Sequence, residues 1–148
     1  MAPLPIRVYL DNCCFNRPFD DQGQVRVRLE TEAKLEIQRR VKDRELELAW
    51  SYILDFENQA NPFPESREVI ARWKQAATVD VEETPEVLRR AKEISGRSLP
   101  PADSLHIACA IAAGCGFFLT TDDLIVKKMR GYSGIVVMGP TQFVIEAQ

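Results

Sequence analysis

Ile6-Arg7-Val8-Tyr9-Leu10-Asp11 is the stretch whose reading decides the fold. Residues 6–10 form a short, mostly apolar run that reads as a strand, and an acid closes it at its carboxyl end. Working outward, strand and helix patterns alternate. Residues 12–24 are polar, contain Pro18 and Gly23, and are expected to form a loop. Val25, Leu29, Ala33, Ile37 and Val41 recur at every fourth position and predict a long amphipathic helix with that stripe as its apolar face. Leu46-Glu47-Leu48-Ala49-Trp50 predicts a second strand, with Ser51 as the N-cap of a short helix to about Ala60.

Pro64 opens a further helix with Val69, Ile70, Trp73 and Ala77 on one face, and residues 78–81 read as a third strand. Thr84-Pro85 is a cap-and-first-turn pair for a helix striped by Val87, Leu88, Ala91 and Ile94 and stopped at Gly96. Pro100-Pro101 opens an almost wholly apolar helix through Cys115, expected to be buried on most faces. Residues 117–120 predict a fourth strand, 122–130 a helix and 135–138 a fifth strand; a closing helix begins at Pro140 with Phe143 and Val144 facing inward. Strands separated by helices imply an α/β fold whose sheet is mostly parallel and about five-stranded, with helices on both faces. In such folds ligands bind beyond the carboxyl ends of the strands, where the strand order switches.

The totals bound the function. A chain of 148 residues that is 45% hydrophobic can form one domain, residues 1–148, with a substantial core. No apolar run approaches the ~18 residues that span a bilayer, and Met1-Ala2-Pro3-Leu4-Pro5 lacks the pattern of a secretory signal. Cys13, Cys14, Cys109 and Cys115 lack zinc-knuckle spacing and read as reduced thiols of a cytoplasmic protein. His106 is the chain's one histidine, which argues against a His-rich zinc site. The net charge of −3 argues against a broadly basic nucleic-acid binder, although a cation-binding carboxylate cluster would contribute to that count.

Acids at element ends carry the chemistry. Besides Asp11, Asp103 stands in the first turn of the apolar helix, and Asp122-Asp123 follow Phe117-Phe118-Leu119-Thr120-Thr121. If they converge, these carboxylates repel one another and need a cation. Each also has a plainer explanation: an Asx-turn for Asp11, a helix-dipole interaction of roughly 0.3–1 kcal/mol for Asp103, and capping for Asp122 and Asp123. In the helix after Ser51, a rotation of about 100° per residue groups Ile53, Leu54, Phe56 and Ala60 in one sector. Glu57 falls in that sector and Asp55 opposite it, toward solvent. A carboxylate directed with core residues needs a partner, either a metal ion or an Arg or Lys.

Asp122 is nearer the strand end and is the preferred ligand of its pair; Asp123 is expected to hold a second ion or a water. His106 reads first as a structural hydrogen-bonder. Asn12 and Asn16 read as turn residues or as partners of a ligand carboxylate. Lys127, Lys128 and Arg130 lie where they could hold phosphates, and Phe15, Arg17 and Phe19 where they could contact bases. Solvated helix faces and loop anchors are the commoner roles of such residues.

Four motifs in order resemble a PIN domain: Val8-Tyr9-Leu10-Asp11, Ser51 through Glu57, Asp103-Ser104-Leu105-His106-Ile107-Ala108, and Phe118-Leu119-Thr120-Thr121-Asp122. The similarity covers essentially the whole chain, whose size is that of the VapC-type ribonuclease toxins of prokaryotes. It implies a three-layer α/β/α sandwich and a nuclease dependent on one or two Mg²⁺ or Mn²⁺ ions. The family's acids would fall on Asp11, Glu57, Asp103 and Asp122, with Asn12, Ser51, His106, Thr120 and Lys127 around them as carboxylate partners or substrate contacts. It also implies an RNA substrate, a homodimer and, for a toxin, a small antitoxin partner. Family members often continue the first Asp with Thr-Asn; here Asn12-Cys13-Cys14 follows, so Asn12 is expected to stand in for the threonine hydroxyl.

A carboxylate-only site suits hard cations and metal-assisted hydrolysis of a phosphodiester. Two other functions remain open. One is a non-catalytic interaction module that keeps the fold. The other is a phosphohydrolase with Asp11 as nucleophile, disfavoured because such enzymes need a second Asp two residues on, where this chain has Cys13.

Overall fold

The structure, a computed structural model, describes residues 4–147. Strands β1 (Ile6–Leu10), β2 (Leu46–Ser51), β3 (Val79–Val81), β4 (Phe117–Leu119) and β5 (Val136–Met138) form one sheet in the order β3-β2-β1-β4-β5. Every pairing is parallel. In β1, Val8, Tyr9 and Leu10 are fully buried, as expected of a central strand covered on both faces.

The helices are α1 (Asn12–Asn16), α2 (Val25–Lys42), α3 (Tyr52–Gln59), α4 (Pro64–Arg72), α5 (Pro85–Ser95), α6 (Pro101–Ala112), α7 (Asp123–Lys128) and α8 (Pro140–Glu146). From β1 the chain moves outward through β2 to β3, then crosses to β4 on the other side of β1 and on to β5. Right-handed crossovers therefore place α1–α4 on one face and α5–α7 on the other, and α8 returns to pack on α2. The three-layer α/β/α sandwich is the architecture expected from the alternation of patterns. No helix among the described residues is long and apolar enough to cross a membrane.

Several local expectations need correction. Residues 12–24 are not simply a loop: α1 and a 3-10 turn over Arg17–Phe19 occupy them. The stripe expected on α2 is partly wrong, because Val25 and Leu29 are exposed. The inward face instead carries Val27, Glu30, Thr31, Ala33, Lys34, Ile37, Gln38 and Val41. Leu88 lies outside the α5 core stripe. The apolar helix ends at Ala112, before Cys115, and Gly114 takes the left-handed φ of 75° that ends such helices. On α3, Phe56 is exposed, whereas Asp55 accepts from Trp50 Nε1 at 2.9 Å and from Lys74 Nζ at 3.0 Å.

Candidate metal centre

The strand order switches at β1, whose neighbours are β2 and β4. Asp11 stands at the end of β1, and its backbone N–H donates to the Leu119 carbonyl at 2.9 Å, carrying the β1–β4 pairing one residue further. Its carboxylate is nearly buried and well supplied with donors. Oδ1 accepts from the Asn12 backbone N–H at 2.8 Å. Oδ2 accepts from the Thr120 hydroxyl at 2.9 Å and from the Cys13 thiol at 3.5 Å.

A threonine hydroxyl does reach Asp11, from Thr120 just past β4. Thr120 Oγ1 also accepts from the Asp122 backbone N–H at 3.1 Å, so one buried hydroxyl ties two of the predicted acids together. Asn12 supplies its backbone N–H, not its side chain, and its Oδ1 makes no hydrogen bond among the described residues. Asn16 donates from Nδ2 to the Asn12 carbonyl at 3.0 Å, a local turn contact.

Ser51 caps α3 by accepting from the Leu54 N–H at 3.3 Å. The internal partner considered for Glu57, an Arg or Lys, is instead His106, whose Nε2 lies 2.5 Å from Glu57 Oε1 and 3.9 Å from Asp11 Oδ1. Asp11, Glu57 and His106 each offer a ligand atom, and these atoms all lie within 4.8 Å of one another.

Asp103 lies half-buried at the start of α6. Its carboxyl is raised above the ordinary range, first by burial and then by the negative charges of Asp11 and Asp122; His106 opposes this and Glu57 adds to it. The four predicted acids thus share one field, contributed by four separate elements.

Asp122 caps α7 through Oδ1, which accepts from Leu124 N–H at 2.9 Å. Asp123, expected at a second ion or a water, is engaged by the chain's own cation: Arg26 grips it through two nitrogens at 2.7 and 2.8 Å. Arg26 also donates to the Thr121 carbonyl at 3.0 Å, tying α2 to the turn that presents Asp122. Lys127 is exposed in the last turn of α7. A cleft of about 580 Å³ beside Thr120 is lined by Arg26, Leu29, Asp123 and Gln142 among others.

Sequence reasoning missed Tyr9. Its hydroxyl is buried between Ser51 Oγ and His106 Nδ1, at 2.6 Å from each. Burial is the first cause that pushes its phenol well above the usual value, so it stays neutral. Its position in a strand gave only an apolar-core signal.

An α/β sandwich with acids gathered at a strand-order switch is a recognisable class. Residues 8–130 match the PIN domain family, and the chain belongs to it. Among solved structures it is similar to VapBC2 from Rickettsia felis, crystallised bound to a DNA fragment from their promoter. That match has 10% identity and a TM-score of 0.55, and covers 89% of this chain and 97% of the other. The likeness at this identity is one of fold. No curated protein matches the chain.

Proposed function

We propose that the chain is a metal-dependent ribonuclease that hydrolyses RNA phosphodiester bonds. Asp11, Glu57, Asp103 and Asp122 would hold one or two Mg²⁺ or Mn²⁺ ions. The observation that carries this is the convergence of ligand atoms from Asp11, Glu57 and His106 within 4.8 Å at the strand-order switch, with the carboxyl of Asp103 raised first by burial and then by the neighbouring acids. The donor set fits: carboxylate oxygens dominate, and Asp11 and Glu57 present theirs within the 4.8 Å span of the cluster. A bound divalent ion would lower the pKa of its water toward ~7 and neutralise charge at the phosphorus.

The chain's own groups do the rest. Thr120 and the Asn12 N–H hold Asp11 in one orientation. Asp122 is exposed at the start of α7, and the exposed Lys127 in the last turn of the same helix would attract the phosphate backbone. Membership of the PIN family supports a nuclease, and likeness to a VapBC structure supports a toxin held by a small antitoxin. A homodimer and a cytoplasmic workplace belong to the same proposal.

The test is cleavage of a mixed RNA pool with Mn²⁺, with and without chelator. Asp11→Asn and Asp103→Asn are expected to abolish cleavage while circular dichroism stays native. Undiminished metal-dependent cleavage by both variants would overturn the assignment. Calorimetry that finds no Mn²⁺ binding would favour the non-catalytic module instead. Co-purification with the product of an adjacent small gene, and light scattering of the purified chain, test the antitoxin and the dimer.

A further inference from the structure

A buried line of hydrogen bonds runs from the cap of α3 to the candidate site: Leu54 N–H, Ser51 Oγ, Tyr9 Oη, His106 Nδ1, His106 Nε2 and Glu57 Oε1. Ser51, Tyr9 and His106 are at most 1% exposed, so solvent does not supply alternative partners. Donor and acceptor capacities fix the protons along it. A carboxylate only accepts, so Nε2 of His106 carries a hydrogen toward Glu57. In a neutral ring Nδ1 then has a lone pair and must accept, which makes Tyr9 its donor. Tyr9 Oη can in turn accept from the Ser51 hydroxyl, and Ser51 Oγ accepts from the backbone of α3. Every group is satisfied when all the bonds point toward Glu57.

We propose that Tyr9, with Ser51 behind it, is a positioning residue: by donating to Nδ1 it holds the imidazole that Glu57 has fixed as an Nε2–H donor, and it keeps that ring out of the metal's ligand set. Both ring nitrogens are then committed, one to Tyr9 and one to the acid. His106 acts on the ion only through Glu57, whose orientation it fixes. The inference rests on the metal site proposed above, and it narrows that site to carboxylates.

The chain has a single histidine, so its ring nitrogens are assigned without ambiguity in a long-range ¹H–¹⁵N correlation spectrum. In mildly alkaline buffer the metal-free protein is expected to show a protonated Nε2 and a bare Nδ1. A ring protonated at Nδ1 alone, or at both nitrogens, overturns the proposal. In Tyr9→Phe the ring keeps its Nε2–H toward Glu57 but loses the donor that holds Nδ1, and Mn²⁺ affinity by calorimetry is expected to fall about tenfold or more, as for other partners of ligand carboxylates. His106→Gln, which can present an N–H to Glu57 from its amide, is expected to retain more Mn²⁺ affinity than His106→Ala. Equal losses in those two variants, or wild-type affinity in Tyr9→Phe, overturn the positioning role. A wild-type protein that binds Mn²⁺ but cuts no RNA ends the ribonuclease assignment and leaves this proposal standing. One that binds no Mn²⁺ ends the metal site and the positioning role together.

Discussion

At the scale of single residues, the surroundings of Asp103 disfavour its charged form. Its carboxyl is raised by burial and by neighbouring acids. The folded protein therefore holds that proton to higher pH than the unfolded chain does. Through that window the folded state binds more protons, so stability falls as pH rises and stays lowered at neutral pH. Asp103→Asn is accordingly expected to raise the Tm of the metal-free protein at neutral pH, with the gain closing as pH falls into the carboxylate range. Mn²⁺ is expected to raise the Tm of the wild type, by linkage, and to do so less for the variant. Scanning calorimetry with and without the ion reads both; a metal-free Asp103→Asn that melts lower would contradict the charge field. The acids were legible in the sequence because an acid at a strand or helix end is conspicuous. Thr120 was legible only as part of a motif. Its bond to Asp11, and the place of Tyr9 between Ser51 and His106, depend on strand register and helix placement that no local pattern encodes.

Elements show where periodicity succeeds and where it slips. Each step of four residues overshoots a helical turn by about 40°, so Val25 and Val41 cannot share a face of α2. The buried positions follow the true period and bring Glu30, Thr31, Lys34 and Gln38 inside with the apolar residues. Arg17 and Arg26 both pair with Glu30. Lys34 has no acid within ion-pair distance among the described residues, and its ammonium lies 5.8 Å from the centre of the Phe15 ring. Burial lowers its pKa to about 8 from an ordinary 10.5. Between those values the unfolded chain binds more protons than the folded one, so wild-type stability rises with pH across that window and the full cost is borne below it. Lys34→Met is expected to stabilise the protein at neutral pH, by roughly 3 kcal/mol at most, with the advantage fading toward pH 10.5. Urea denaturation at the two ends of the window measures it; an equal gain at both would show that charge is not the cause. On α3 the period is right and the sector is centred too far toward Phe56: the buried side centres on Ile53, Leu54 and Asn58, with Glu57 at its half-buried edge.

For the whole molecule, strand alternation was enough to foretell a parallel sheet, because parallel neighbours need helical crossovers. The order β3-β2-β1-β4-β5 was not, since either side of β1 would accept β4 on local pattern alone. That order has a consequence in time. Asp11 and the hydroxyl that steadies it are 109 positions apart, and at ~5–20 residues per second a ribosome takes about 5–20 s to make the stretch between them. Until β4 leaves the exit tunnel, Asp11 has neither Thr120 nor Asp122 beside it. Nascent chains stalled before β4 are expected to bind no Mn²⁺ and cut no RNA, whereas those stalled after the whole chain has emerged should do both. The wide sequence separation of β1 and β4 would thus act as a synthesis timer, keeping the site unassembled while the ribosome is still making the chain.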